Sequence, residues 1–109
     1  MVEEKKEIKE EKKEIKEEKK EIKVNFPEKL VGGVYANNII ITHTKEEFIM
    51  DFLMVTPPFG SVNSRVIISP GHMKRTITAL KDNLGKYEEK FGSISPAEAP
   101  RPIGFRPPK

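Results

Sequence analysis

Three different hydrophobic periods run along this chain. In residues 1–23 a single apolar position recurs every seven residues, at Ile8, Ile15 and Ile22, within an error-free triple repeat of Glu-Glu-Lys-Lys-Glu-Ile-Lys. Residues 34–44, VYANNIIITHT, are rich in β-branched side chains and predict a strand. The polar stretch His43-Thr44-Lys45-Glu46 then predicts a hairpin connection. In residues 47–56 the alternate positions Phe48, Met50, Phe52 and Met54 are all apolar. That row predicts a second strand, with Ile49, Asp51, Leu53 and Val55 on its other face. Pro57-Pro58-Phe59-Gly60 ends it, a loop is expected to about Asn63, and residues 64–69 predict a third strand. Ser69-Pro70 is a helix start, with Ser at the N-cap and Pro at the first helical position. Apolar residues then recur at Met73, Ile77, Leu80, Leu84, Tyr87 and Phe91, alternately four and three apart, and Gly92 supplies the stop.

These elements predict an α+β fold: a small antiparallel sheet of about three strands, then one long amphipathic C-terminal helix. The expected divisions are a Glu/Lys heptad-repeat extension (1–23), a β-β-β-α core (24–94) and a Pro-rich disordered tail (95–109). The extension favours a charged helix, because Glu and Lys are good helix formers and pair at i,i+3 and i,i+4. A coiled coil needs apolar residues at both a and d, and here only one of the two is filled.

One helix covers one sheet face, most simply the row of Phe48, Met50, Phe52 and Met54. The opposite row, with Ile49, Leu53 and Val55, then needs another cover, and a core of this size is marginal alone. A homo-oligomer follows as the expectation, most simply a dimer, with Ile49, Leu53, Val55 and Ile67 at the interface.

Charge changes this picture little. The chain has 20 Lys+Arg against 17 Asp+Glu, but the extension is balanced and residues 24–94 carry eight basic against seven acidic residues. A dedicated nucleic-acid surface clusters its Lys and Arg on one face, which the core composition does not indicate. With no Cys there is no disulfide, thiol chemistry or thiolate zinc site, and two His do not make a His-rich metal site. The start MVEEKKE lacks the apolar stretch of a secretory signal. No apolar run is long enough to span a membrane. A cytoplasmic protein with no cofactor is expected.

Four polar residues are candidates for chemistry. Asp51 sits mid-strand, and an unpaired buried carboxylate is costly. Arg65 on the neighbouring strand is its expected partner; a catalytic acid or base is the minority alternative. His43 ends the first strand and His72 lies in the first helical turn. With Asp51 they make a conceivable but thin metal or catalytic set. Asn37 and Asn38 are unusual inside a strand and are expected to hydrogen-bond a bulge or the adjoining loop. In the tail, Pro100-Arg101-Pro102 and Phe105-Arg106-Pro107-Pro108 are suited to docking on a protein partner. A solvated tail is the simpler expectation.

Taken in order, Tyr35-Ala36-Asn37, Thr42-His43-Thr44, Glu47-Phe48, Asp51-Phe52, Ser69-Pro70-Gly71-His72, Ala79-Leu80, Asn83 and the run Tyr87 to Gly92 form a pattern. It resembles the small bacterial proteins grouped as domain of unknown function three-four-six-seven, over about residues 33–94. Met73 departs mildly from the small residue usual after the helix-start His. The Glu/Lys repeat and the proline tail are expected to lie outside the match. The resemblance implies a bacterial cytoplasmic protein of sheet-plus-helix type, and it implies no activity, cofactor or catalytic residue.

The expected function is that of a non-enzymatic oligomeric interaction module. The runner-up is a single-strand nucleic-acid binder presenting Tyr35, Arg65 and Phe59. The third is a small-molecule binder or enzyme using Asp51, His43 and His72.

Overall fold

The computed structural model describes residues 20–98 and 101–108. Most of the Glu/Lys repeat lies outside the described residues, and its last four, 20–23, are exposed and without regular secondary structure. The described residues divide into two units at Gly33/Val34. Residues 24–33, grouped with the core in the sequence division, fall in the first. That unit contains a 3-10 turn, Glu28–Leu30, closed by Leu30 N–H to the Pro27 carbonyl at 2.9 Å. Gly33 ends the unit at φ 68°, a conformation few other residues adopt.

The second unit is a three-stranded antiparallel sheet followed by a long helix. β1 (Asn38–His43), β2 (Phe48–Thr56) and β3 (Phe59–Ile68) lie in the order β1-β2-β3. The β1–β2 connection is held by Thr44, whose hydroxyl accepts from the N–H groups of Glu46 and Glu47, both at 3.2 Å. That is how a short polar loop satisfies its own backbone.

β3 begins at Phe59, five residues before the start that the sequence predicts. Pro57-Pro58, joined by a cis peptide bond, forms a two-residue turn, and Thr56 pairs directly with Phe59. The chain therefore returns at once, and Gly60, Ser61, Val62 and Asn63 are strand rather than loop. One extra residue is absorbed between the Phe52↔Ser64 and Leu53↔Val62 pairs, leaving Asn63 as a bulge. β1 is shorter than the 34–44 run predicts, because residues before Asn38 leave the ladder.

The helix α1 spans Pro70–Phe91. Ser69 caps it, its side chain accepting from His72 N–H at 3.3 Å. Gly92 stops it at φ 93°, with its N–H bonded to the Glu88 carbonyl at 2.8 Å. The Glu88 carboxylate takes the Ile94 N–H at 3.1 Å, which extends the C-terminal cap.

The helix does not cover the sheet. Of its apolar stripe only Met73, in the first turn, is buried; Ile77, Leu80, Leu84, Tyr87 and Phe91 are exposed. Ser69 alone links β3 to α1. A one-residue link whose next position is a proline of fixed φ leaves no chain for reversing a 22-residue helix across the strands it has just left. The row Phe48, Met50, Phe52 and Met54, expected beneath this helix, stays only half-buried. No helix among the described residues is long and apolar enough to cross a membrane.

Candidate functional site

Register fixes the two sheet faces. On one, Ile40, Asp51 and Arg65 stand side by side, flanked by Thr42, Ile49 and Ile67 on one side and by Asn38, Leu53 and Val62 on the other. On the other face, Ile41, Met50 and Val66 align, with His43, Phe48 and Ile68 beside them. The His43 and Phe48 rings lie 5.6 Å apart.

Asp51 is 2 % exposed, on the central strand. Arg65 meets it with two hydrogen bonds, Nε to Oδ1 at 2.6 Å and Nη2 to Oδ2 at 3.0 Å. This is the paired arrangement expected of a carboxylate in an apolar row, and the fork geometry suits Arg better than Lys. The hydrogen bonds from Arg65 hold the Asp51 carboxyl below its ordinary range, against the opposing effect of burial; the Arg65 charge acts in the same direction as the bonds. Arg65 is raised in turn by its bond to Asp51. Such a carboxylate stays ionised and is poorly placed to act as a general acid.

His43 stands on the face opposite Asp51, because Ile40, one register position from Ile41, is the residue paired with Asp51. His72 sits in the first turn of α1, its N–H on Ser69 and its carbonyl accepting from the Thr76 hydroxyl at 2.8 Å. The three residues are not brought together as one site. Among the described residues no three His, Cys, Asp or Glu cluster as metal ligands. Tyr35 and Phe59 are exposed, but Arg65 lies on the opposite face from Phe59 by register, and two of its nitrogens are held by Asp51. The three do not form one stacking surface.

Of the four residues assigned to an interface, Ile67 is 51 % exposed, Ile49 and Val55 are half-buried, and Leu53 is only 4 % exposed. Leu53 has little surface left to offer a partner. Its cover includes a feature that the sequence reasoning missed. Residues 101–106 of the tail approach the sheet and enclose a cleft of about 740 Å³, lined by Leu53, Val55, Pro58, Val62, Ile103 and Phe105. Ile103 is half-buried there. Its spacing of two from Phe105 is the available signal: in an extended segment those side chains share a face.

Asn37 and Asn63 order the entry to the sheet. The Asn37 amide bonds the backbone of Val55 in both directions, and Asn63 Nδ2 donates to the Tyr35 carbonyl at 2.7 Å. The bulge residue thus ties β3 to the segment that leads into β1. These roles are structural.

Among the described residues the sheet thus presents an apolar face on one side and a satisfied Asp51–Arg65 ion pair on the other, and the α1 stripe is a second apolar surface. No curated protein and no solved structure matches this chain. A family model described as "Protein of unknown function (DUF3467)" matches residues 3–96. That span takes in the Glu/Lys repeat, which the residue-by-residue resemblance had placed outside, and it leaves out nearly all of the proline tail. With most of its length matched, the chain belongs to the DUF3467 family.

Proposed function

We propose that the chain is a non-enzymatic interaction module that works as a homo-oligomer, most simply a dimer. One observation carries this. Among the described residues the buried apolar side chains are Leu53 and Met73, and no others. Two buried side chains are a very small core for a three-stranded sheet and a 22-residue helix, whose ordering costs conformational entropy at every residue. The apolar row of β2 is only half-buried, and covering it and the α1 stripe with a second copy supplies the missing burial.

Two surfaces are available for it. One is the sheet face of Ile39, Ile41, Phe48, Met50, Phe52, Val66 and Ile68, all half-buried or exposed. The other is the stripe along α1. Apolar surface of this extent is characteristic of interfaces. Ile67 and the edges of Ile49 and Val55 adjoin the ion-pair face and add to the surface.

Light scattering after size exclusion on the full chain tests the proposal. A mass of twice 12.4 kDa or a higher multiple supports it. A folded species of 12.4 kDa at all concentrations excludes it.

A further inference from the structure

We propose that α1 pairs with α1 of a second copy as an antiparallel, two-stranded coiled coil, through Ile77, Leu80, Leu84, Tyr87 and Phe91. This rests on the self-association reading and names the element that performs it.

The width of the stripe identifies the kind of partner. In heptad terms Ile77, Leu84 and Phe91 occupy a, and Met73, Leu80 and Tyr87 occupy d. The flanking positions are polar throughout: Lys74, Lys81 and Glu88 on one side, Thr76, Asn83 and Lys90 on the other. A helix that lies on a sheet or in a globular core carries a third apolar position per heptad; a strict a/d seam fits one other helix. From Ile77 onward the seam is bare, with Leu80 65 % and Phe91 65 % exposed. Its own sheet, one residue away across Ser69, leaves that stretch uncovered.

The seam is self-complementary when the helices run in opposite directions. Setting Leu80 against Leu84 of the second copy places Ile77 against Tyr87 and brings Phe91 up to the first turn, where Met73 is already buried. Each exposed d then faces an a, and the Tyr87 ring faces a smaller side chain, which fills the seam evenly. Lys74 falls beside Glu88 of the second copy, and symmetry repeats the pair. Lys81 approaches its own counterpart near the two-fold axis, the single like-charge contact. Parallel pairing instead sets Tyr87 on Tyr87 and Phe91 on Phe91 at one end. It also pairs Thr76 with Lys81 and Asn83 with Glu88, with no opposite charges across the seam.

The chain has no Cys, so one introduced thiol reports cleanly. Lys90→Cys, spin-labelled in the full-length protein, is the probe. In the antiparallel pair, position 90 is level with position 74 of the second copy along the axis, on the other flank, so the two labels stand about 24 Å apart along the axis at 1.5 Å per residue. The expected dipolar distance is about 25–35 Å; parallel helices bring the labels to about 10–15 Å. Asn83→Cys is the second variant. It faces its own counterpart across the antiparallel axis and is expected to form an intermolecular disulfide on mild oxidation, whereas parallel helices hold the two thiols on opposite flanks. A short distance, or an oligomer in which the labels do not couple and Asn83→Cys does not cross-link, overturns the antiparallel pair while self-association stands. A monomer by light scattering overturns both.

Discussion

The side-chain amide of Asn37 stands in for a strand residue opposite Val55. Its Nδ2 donates to the Val55 carbonyl at 2.9 Å, and its Oδ1 accepts the Val55 N–H at 2.8 Å. The Asn37 N–H meanwhile bonds the Leu53 carbonyl at 2.9 Å. The ladder between β1 and β2 thus continues past the end of β1 while the backbone turns away. Asn38, donating to Asn37 Oδ1 at 3.1 Å, holds the amide in place.

Asn37→Ala removes both bonds and leaves the exposed Val55 peptide to water. The expected loss is about 1–3 kcal/mol in chemical denaturation. Hydrogen exchange at the Val55 amide should accelerate before exchange elsewhere in β2. Unchanged protection at Val55 would refute the role given to Asn37.

The Asp51–Arg65 pair makes stability depend on acid. The folded-state pKa of Asp51 is lowered from its ordinary 3.8. The pair's contribution is therefore complete above that ordinary value and is lost as pH falls through the lowered one. Asp51→Asn should flatten the acid limb of a stability-against-pH profile below about pH 4 and leave its shape near pH 7 unchanged. An acid limb identical in the variant would show that other carboxylates set it.

At the start of α1, Ser69→Ala deletes the acceptor for His72 N–H and is expected to cost about 1 kcal/mol. The Ser69→Asp variant should restore the loss, because a carboxylate serves the same N–H groups and favours the helix dipole. Helical circular dichroism against denaturant measures both. Failure of Asp to restore stability would exclude capping as the reason for Ser69.

The tail is expected to protect the cleft. Ile103→Ser exposes the Leu53 end of the sheet and should lower stability by about 1 kcal/mol, as for losing a half-buried aliphatic side chain. Leu53→Ala should cost more, about 2–5 kcal/mol. Equal stability of wild type and Ile103→Ser would mean that residues 101–106 contribute nothing to the fold.

These sites differ in how far the sequence exposes them. Apolar alternation located β2 to within a residue, and Ser69-Pro70 with Gly92 bracketed α1, because period and caps are local properties. The Asp51–Arg65 pair was legible for the same reason: a carboxylate inside an apolar row demands a partner, and a basic residue on the next strand can supply one. The start of β3 was not, since Pro57-Pro58 reads as the end of a strand and only the three-dimensional turn shows that the chain reverses there. Nor was the direction of α1. The stripe from Met73 to Phe91 announces a buried helix without saying whether its cover comes from the same chain. The one-residue link was visible, but its consequence becomes plain only once Ile68 is known to end β3. The approach of Ile103 to the sheet was hidden by proline-rich composition, which argues for an extended chain and says nothing about where that chain lies.

The central claim is that a second copy completes this fold, and the concentration dependence of thermal unfolding of the full chain tests it most directly. Where association supplies the apolar burial, the midpoint rises steadily as protein concentration increases, by mass action. That is the predicted result. A cooperative transition whose midpoint stays fixed over a hundred-fold range of concentration, with the sheet and helix signals intact before it, would contradict the account.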